Sequence, residues 1–410
     1  MENFSTGEDC GATLDCLKGL GVSAEFEAGG ALRIEGVGLE GLRAPLAPLD
    51  CRNSGSTMRM LAGVLAGQNF ESTLSGDESL RERPMKRIIE PLELMGARVE
   101  SLERRAPLLI TGRVPLKAIS YEMPVASAQV KSCVLLAGLY AKGRTSVIEA
   151  RGRPTRDHTE RMLRWYGAQV TESLSEGDAP SNIISLEPGA ILRARDFRIP
   201  GDISSAAFFI AAACLLPGST LNIRGAGLNP TRTGFLSTLR ALGADVRAEL
   251  AAHARGRWVE LDEPSGDITV RGGAGLAPLK QESNLLRGAL IPQLIDELPM
   301  LAVLGTQVTG GLSIREASEL RFKETDRIAA TVENLRAMGV PVEEHEDGLT
   351  VPERTPLRGA KIDAHDDHRI AMAFSIAALL AEGDSEIEGA ECVSVSFPEF
   401  YSLLDSVTDR

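Results

Sequence analysis

The run Leu320-Arg321-Phe322-Lys323-Glu324-Thr325-Asp326-Arg327 places six ionisable or hydrogen-bonding side chains in eight positions. Two readings of its chemistry are open. Lys323 and Arg327 are four residues apart, and Glu324 and Arg327 three apart. On a helix these are ordinary neighbours of one wet face. The alternative is a cluster of cations that holds an anion. A second polar run, His365-Asp366-Asp367-His368-Arg369, contains two histidines, but their spacing fits no strong metal signature.

Other candidates sit where a polar stretch opens into an apolar run: Ser54-Gly55-Ser56, Ser127-Ala128 and Ser204-Ser205. The first turn of a helix presents free N–H groups and the positive end of the helix dipole. Small residues there let a phosphate or carboxylate come close. Ser and Asp also cap helices with no ligand involved. Capping alone does not call for Gln129 and Lys131, or for the Asp-Asp-His-Arg run, at the corresponding place.

The elements that position these residues repeat along the chain. Five polar starts, NSGSTMRMLAGVLAG, SAQVKSCVLLAGLYAKG, GDISSAAFFIAAACLLPG, IDELPMLAVLG and DDHRIAMAFSIAALLAEG, read as buried helices. With Gly55, Gln129, Ser204, Glu297 and Arg369 as markers, their spacings are 74, 75, 93 and 72 residues. Between them recur LKGLGVSA, LELMGARV, LRWYGAQV, LRALGADV and LRAMGVPV. Each looks like a helix ended by a left-handed glycine and followed by a strand. A period of this length is a repeated supersecondary unit within domains. The same register puts a further polar-start helix at about position −19, so the chain is expected to begin in mid-repeat.

Composition bounds the function. The 410 residues predict two or three domains. Lys and Arg total 44 against 57 Asp and Glu, a net charge of −13. That balance argues against nucleic acid or an anionic membrane as the main partner, but not against a small anion in a locally cationic cleft. The acidic, polar N-terminus is no signal peptide. The longest apolar stretches are too short to span a bilayer. Six scattered cysteines without a C-x-x-C motif predict a cytoplasmic protein with reduced thiols.

Taken together, LDCRNSGSTMRMLAG, SGDESLRERPMKRIIEPLELMGA, SAQVKS, RPTRDHTERML, IPGDISSAAF, IDELPMLAV, LRFKETDRI and HDDHRIAMAFS resemble the EPSP synthase (3-phosphoshikimate 1-carboxyvinyltransferase) family over nearly the whole chain. The resemblance implies an α/β fold of two similar domains, 1–198 and 199–410, each built of repeated βαβαββ units in an inverted α/β barrel, with the first unit incomplete. It implies transfer of the enolpyruvyl group of phosphoenolpyruvate to the 5-hydroxyl of shikimate 3-phosphate, releasing phosphate, in chorismate and aromatic amino acid biosynthesis. It also implies a cytoplasmic monomer with no metal or other cofactor.

By motif, Asp296 is the implied base at the acceptor hydroxyl, and Glu324 the proton donor and acceptor at the methylene carbon. Gly55, Arg83, Gln129, Arg327 and Arg369 are implied for phosphoenolpyruvate. Ser127, Ala128, Gln129, Arg156, Asp296 and Lys323 are implied for shikimate 3-phosphate. Gly55 further implies sensitivity to glyphosate-like competitors.

Three departures stand out. The family's Lys-Ser helix start has no counterpart, as expected of an N-terminally truncated chain. Val395-Ser396 precede Phe397-Pro398 where some members carry Lys, and Glu319 stands where some have Asn. The rival readings are an inactive, binding-only remnant and the sister enzyme that uses UDP-N-acetylglucosamine. The latter's loop cysteine motif is missing.

Overall fold

A computed structural model describes residues 1–176, 180–251, 263–273 and 275–408. The chain divides into two compact units, one containing Met1–Ile199 and the other starting at Pro200.

In the first unit, one sheet orders its strands Leu49–Asp50, Glu71–Ser75, Leu108–Thr111, Arg98–Glu100. The first two are parallel and the other pairings antiparallel. The next sheet repeats this scheme with Ser120–Glu122, Thr145–Ile148, Asn182–Leu186 and Val170–Leu174. Helices Gly55–Ala66 and Lys86–Leu94 lie between the strands of the first sheet along the chain. Helices Ala128–Gly138 and His158–Tyr166 do so for the second. Each set therefore reads βαβαββ: a parallel pair needs a crossover, filled here by a helix, and a hairpin closes the unit. Ahead of them stand one helix, Glu8–Gly19, and the hairpin Ser23–Phe26 with Leu32–Glu35.

The second unit uses the same scheme. Strands Leu285–Leu286, Leu312–Ile314, Gly348–Val351 and Glu343–His345 form a four-stranded sheet with one parallel pair. Helices Ile203–Leu215, Leu298–Gly305 and His368–Leu380 contribute most of their residues to one buried core. They are apolar nearly all round because they are covered nearly all round. That explains why these segments look membrane-like while none of the described helices is long and apolar enough to cross a membrane.

The five Leu-x-x-apolar-Gly motifs end helices as the sequence predicts. Gly21, Gly96, Gly167, Gly243 and Gly339 all have φ between 85 and 108°, a conformation a β-carbon disfavours. All six cysteines are free thiols, and Cys16, Cys51, Cys133 and Cys214 are buried.

Helices Gly55–Ala66 and Ala128–Gly138 meet at Gly63. A β-carbon there would lie 2.2 Å from the Cys133 carbonyl oxygen, a backbone atom that cannot swing aside. Gly63→Ala is therefore expected to destabilise the protein by about 1–3 kcal/mol through overpacking, despite alanine's better helix propensity. Urea unfolding of the variant measures this; an unchanged midpoint would mean the two helices separate freely.

Candidate active site

The helical-face reading of LRFKETDR fails. Ser318–Phe322 is a 3-10 turn, Lys323 is extended, and the next helix starts only at Arg327, capped by the Asp326 carboxylate on the N–H groups of Ile328 and Ala329. Nor is Arg327 solvated: its side chain is 2% exposed. Its Nε donates to Asp367 Oδ2 at 2.7 Å and its Nη2 to Asp367 Oδ1 at 3.2 Å. Nη2 also donates to Glu324 Oε2 at 2.6 Å, and Nη1 stands 3.7 Å from Asp296 Oδ1. Burial alone would lower the Arg327 pKa. The Asp367 and Glu324 carboxylates more than offset that, so the pKa is raised and the guanidinium stays charged.

Asp296 lies at the turn between helices Leu290–Leu294 and Leu298–Gly305. Its neighbour Glu297 is buried and accepts from Ser204 Oγ, to which Arg232 also donates. Arg232 comes within 3.5 Å of Asp202, the cap of helix Ile203–Leu215. Burial would raise the Asp202 carboxyl; Arg232 and Arg369 beside it, with hydrogen bonds from Ser205, hold it below its usual range.

Arg369 is the second residue of helix His368–Leu380, and its N–H donates to Asp367 Oδ1 at 2.8 Å. Its guanidinium carbon lies 6.0 Å from the centre of the Phe208 ring. Nε and Nη1 are buried without a hydrogen-bond partner among the described residues. Buried donors are nearly always satisfied, and an unsatisfied one costs about 1–3 kcal/mol. An anion at this place would satisfy both.

In the first unit, Ser54 caps helix Gly55–Ala66 by accepting from the Thr57 N–H. A β-carbon on Gly55 would stand 3.1 Å from Arg59 Nη1 and 3.4 Å from Arg83 Nη1. Two guanidinium groups thus lie over the glycine. Arg83 Nη2 donates to Asn53 Oδ1 at 2.6 Å and to Ser79 Oγ at 3.2 Å. Arg59 Nη1 donates to Gln129 Oε1 at 2.5 Å, and Gln129 Nε2 to Ser56 Oγ at 2.7 Å. Gly55, Arg83 and Gln129 are therefore brought together.

Ser127 caps helix Ala128–Gly138 by accepting from the Val130 N–H at 3.4 Å. Ala128 opens that helix, and Arg156 is half-buried on the loop ahead of helix His158–Tyr166. Lys323 is half-buried directly before Glu324.

Some of this was not foreseen from sequence. Arg59 follows Gly55 by four positions, a same-face spacing that could have flagged it. Asp367 lies inside a motif singled out for other reasons. Arg232 gave no signal, and Glu297 only as a marker of a polar helix start; their shared partner Ser204 is distant in the chain from both. Among the described residues no group of three His, Cys, Asp or Glu is arranged to hold a metal. Instead His365 lies 3.4 Å from Glu333 and 3.7 Å from Asp363.

His368 is 7% exposed, and its Nδ1 has no hydrogen-bond partner among the described residues. Burial and the neighbouring Arg369 push its pKa down to about 4. The native state therefore refuses a proton that the unfolded chain accepts below its ordinary value of about 6.5. Stability is whole above that value and falls with pH until the folded pKa is reached, by up to about 3 kcal/mol. Unfolding followed from pH 7 to 4 is expected to show a shallower decline in His368→Gln; parallel curves would refute the assignment.

The chain is similar to proteins of known name over nearly its whole length. The family model for EPSP synthase (3-phosphoshikimate 1-carboxyvinyltransferase) matches residues 1–404. The 3-phosphoshikimate 1-carboxyvinyltransferase of Koribacter versatilis is 47% identical over 410 residues, all of this chain and 91% of its own. That of Salinibacter ruber is 48% identical over 99% of this chain and 90% of its own. The solved EPSP synthase of Acinetobacter baumannii superposes with a TM-score of 0.81 at 41% identity, covering 99% of this chain and 89% of its own. The enolpyruvyl transferase NikO of Streptomyces tendae shares the fold at 17% identity, with a TM-score of 0.70 over 97% of this chain and 86% of its own. The chain thus spans about nine-tenths of these relatives' own length. The chain belongs to the EPSP synthase family.

Proposed function

We propose that this protein transfers the enolpyruvyl group of phosphoenolpyruvate to the 5-hydroxyl of shikimate 3-phosphate and releases phosphate. The observation that carries the site assignment is the pair of unpartnered, buried Arg369 donors beside the Arg327–Glu324–Asp296 cluster. Both substrates are multiply anionic, and a forked guanidinium suits carboxylate and phosphate alike.

In this reading Asp296 takes the proton of the acceptor hydroxyl as its oxygen attacks the substituted carbon of the enol. Glu324 protonates the methylene carbon, then withdraws a proton from the same carbon as phosphate leaves. Proton transfer of this kind contributes about 10²–10⁴-fold each. The residues assigned to phosphoenolpyruvate are Gly55, Arg83 and Gln129 in the first unit and Arg327 and Arg369 in the second. Ser127, Ala128, Gln129, Arg156 and Lys323 hold shikimate 3-phosphate. Arg327 is already gripped by Asp367 on two of its nitrogens, so it meets ligand pre-oriented, with Nη1 outward of that fork. The protein works as a cytoplasmic monomer without metal or cofactor.

Phosphate release is expected with phosphoenolpyruvate and shikimate 3-phosphate and not with UDP-N-acetylglucosamine; release with the sugar nucleotide alone would overturn the acceptor, and silence with both the reaction. Glu324→Gln should lower kcat by about 100-fold or more with little change in either KM. A variant turning over at the wild-type rate would remove Glu324 from the chemistry.

Gly55→Ala probes the cation pair. Its methyl displaces two side-chain ends rather than backbone, so the fold should hold. The KM for phosphoenolpyruvate should rise by about tenfold, the size expected when a charged contact shifts by part of an ångström. An unmoved KM would place that substrate away from Gly55.

A further inference from the structure

Lys131, Glu149 and Glu160 form an ionic group sealed inside the first unit, with side-chain exposures of 1%, 2% and 1%. Lys131 Nζ lies 2.8 Å from Glu149 Oε1 and 2.6 Å from Glu160 Oε1. It is thus no ligand-facing residue of the polar helix start, although the sequence pattern offers it as one. Burying three charges costs several kcal/mol per ion before pairing, and an apolar replacement of such a group is often neutral or stabilising. Stability alone does not account for it. What it fixes in space is informative.

Lys131 stands in the first turn of helix Ala128–Gly138, two residues after Gln129. Glu149 and Glu160 bracket the loop that carries Arg156. Glu149 Oε1 also accepts from the Thr155 N–H at 2.9 Å and from Thr155 Oγ1 at 2.5 Å. Its Oε2 accepts from Asn182 Nδ2 at 3.0 Å. Glu160 lies in the first turn of helix His158–Tyr166, whose Thr159 hydroxyl meets Ser132 at 2.6 Å. Arg156 lies in the stretch between these two anchors and directly follows Thr155.

We propose that Lys131, Glu149 and Glu160 are positioning residues that lock the Gln129 helix start and the Arg156 loop into one rigid acceptor subsite; the inference rests on the assignment of Gln129 and Arg156 to shikimate 3-phosphate. None of the three touches substrate. Lys131 joins the two ligand-bearing segments, and Glu149 transmits the constraint through Thr155 to the backbone beside Arg156. The charges are arranged to persist. Burial lowers the Lys131 pKa, but the two carboxylates raise it further. Burial opposes ionisation of Glu149, yet Lys131 and the Thr155 and Asn182 hydrogen bonds bring it below its usual range. Of the two carboxyls, only Glu160 is pushed up, burial outweighing the pull of Lys131.

The test compares wild type with a charge-free triple variant, Lys131→Met, Glu149→Gln, Glu160→Gln, and with Thr155→Val, which removes only the hydroxyl link. Both are read by thermal unfolding, amide exchange in residues 150–157, and KM for each substrate. We expect a folded triple variant in which exchange of that loop quickens and the KM for shikimate 3-phosphate, assigned to both locked segments, rises by about tenfold or more, with a clearly smaller rise for phosphoenolpyruvate, which is assigned to Gln129 alone of the two. Thr155→Val should move the same two readouts in the same direction, and decides the matter if the triple variant does not fold. Unchanged loop exchange, or an equal rise in both KM values, would overturn the proposal. If wild type neither binds nor turns over shikimate 3-phosphate, the functional reading fails; loop exchange then still decides whether the lock exists.

Discussion

A guanidinium taken out of water must be answered by carboxylate, and the Arg327–Asp367 fork is the answer on which the second unit's chemistry depends. Arg327 is among the largest fully buried side chains of the described residues. Uncompensated, such a charge would be strongly destabilising. Asp367 meets it on two nitrogens while also capping its own helix, accepting from the Arg369 N–H. One carboxylate therefore sets three things: the entry of helix His368–Leu380, the orientation of Arg327, and the place where Arg369 starts. Since helix Arg327–Ala337 belongs to one repeat and helix His368–Leu380 to the next, this ion pair also joins neighbouring repeats. Glu324 and Asp296 inherit their positions from it, because both lie against the same guanidinium.

The turn ahead of Asp367 supports that role. His365 and Asp366 both have positive φ, 48° and 53°, an uncommon conformation for residues with a β-carbon. It is held by the Asp363 carboxylate, which accepts from the His365 N–H, and by Asn334, which exchanges two hydrogen bonds with the Asp363 backbone. Residual strain at such a place persists only when its surroundings over-determine it. Here Asn334 sits on the Arg327 helix, so the element that carries the buried cation also shapes the turn that delivers its partner.

The sequence was most legible where the cause is local. Five glycines end five helices because a left-handed residue at that position is a property of the chain itself. The polar helix starts were legible for the same reason, and the repeat then follows by counting. The pairs that make the site were not legible. Arg327 to Asp367 spans 40 residues, Arg59 to Gln129 spans 70, and Ser204 to Glu297 spans 93. No local spacing rule reaches across such separations. Local rules even misled at LRFKETDR and at Lys131. A charged residue next to others looks like wet surface, or like a ligand contact, until burial is known. In both cases burial decides, and burial is a tertiary quantity.

The contrast between the acidic whole and the cationic site follows from how charge acts at different distances. A net charge of −13 spread over the surface is screened within about 8–10 Å at ordinary ionic strength. A guanidinium that is mostly buried keeps more of its field because little water stands near it. Arg369 goes further: its unpartnered Nε and Nη1 have already lost their hydration. An anion binding there recovers hydrogen bonds the protein has forgone, without the usual cost of stripping water from the receptor side. The carboxylates around Arg327 work in the opposite sense, since they neutralise a cation that would otherwise hold any anion too well. Keeping one arginine compensated and the other incompletely satisfied is a means of binding phosphate and carboxylate groups firmly enough to orient them while leaving charge free to respond as the phosphate departs.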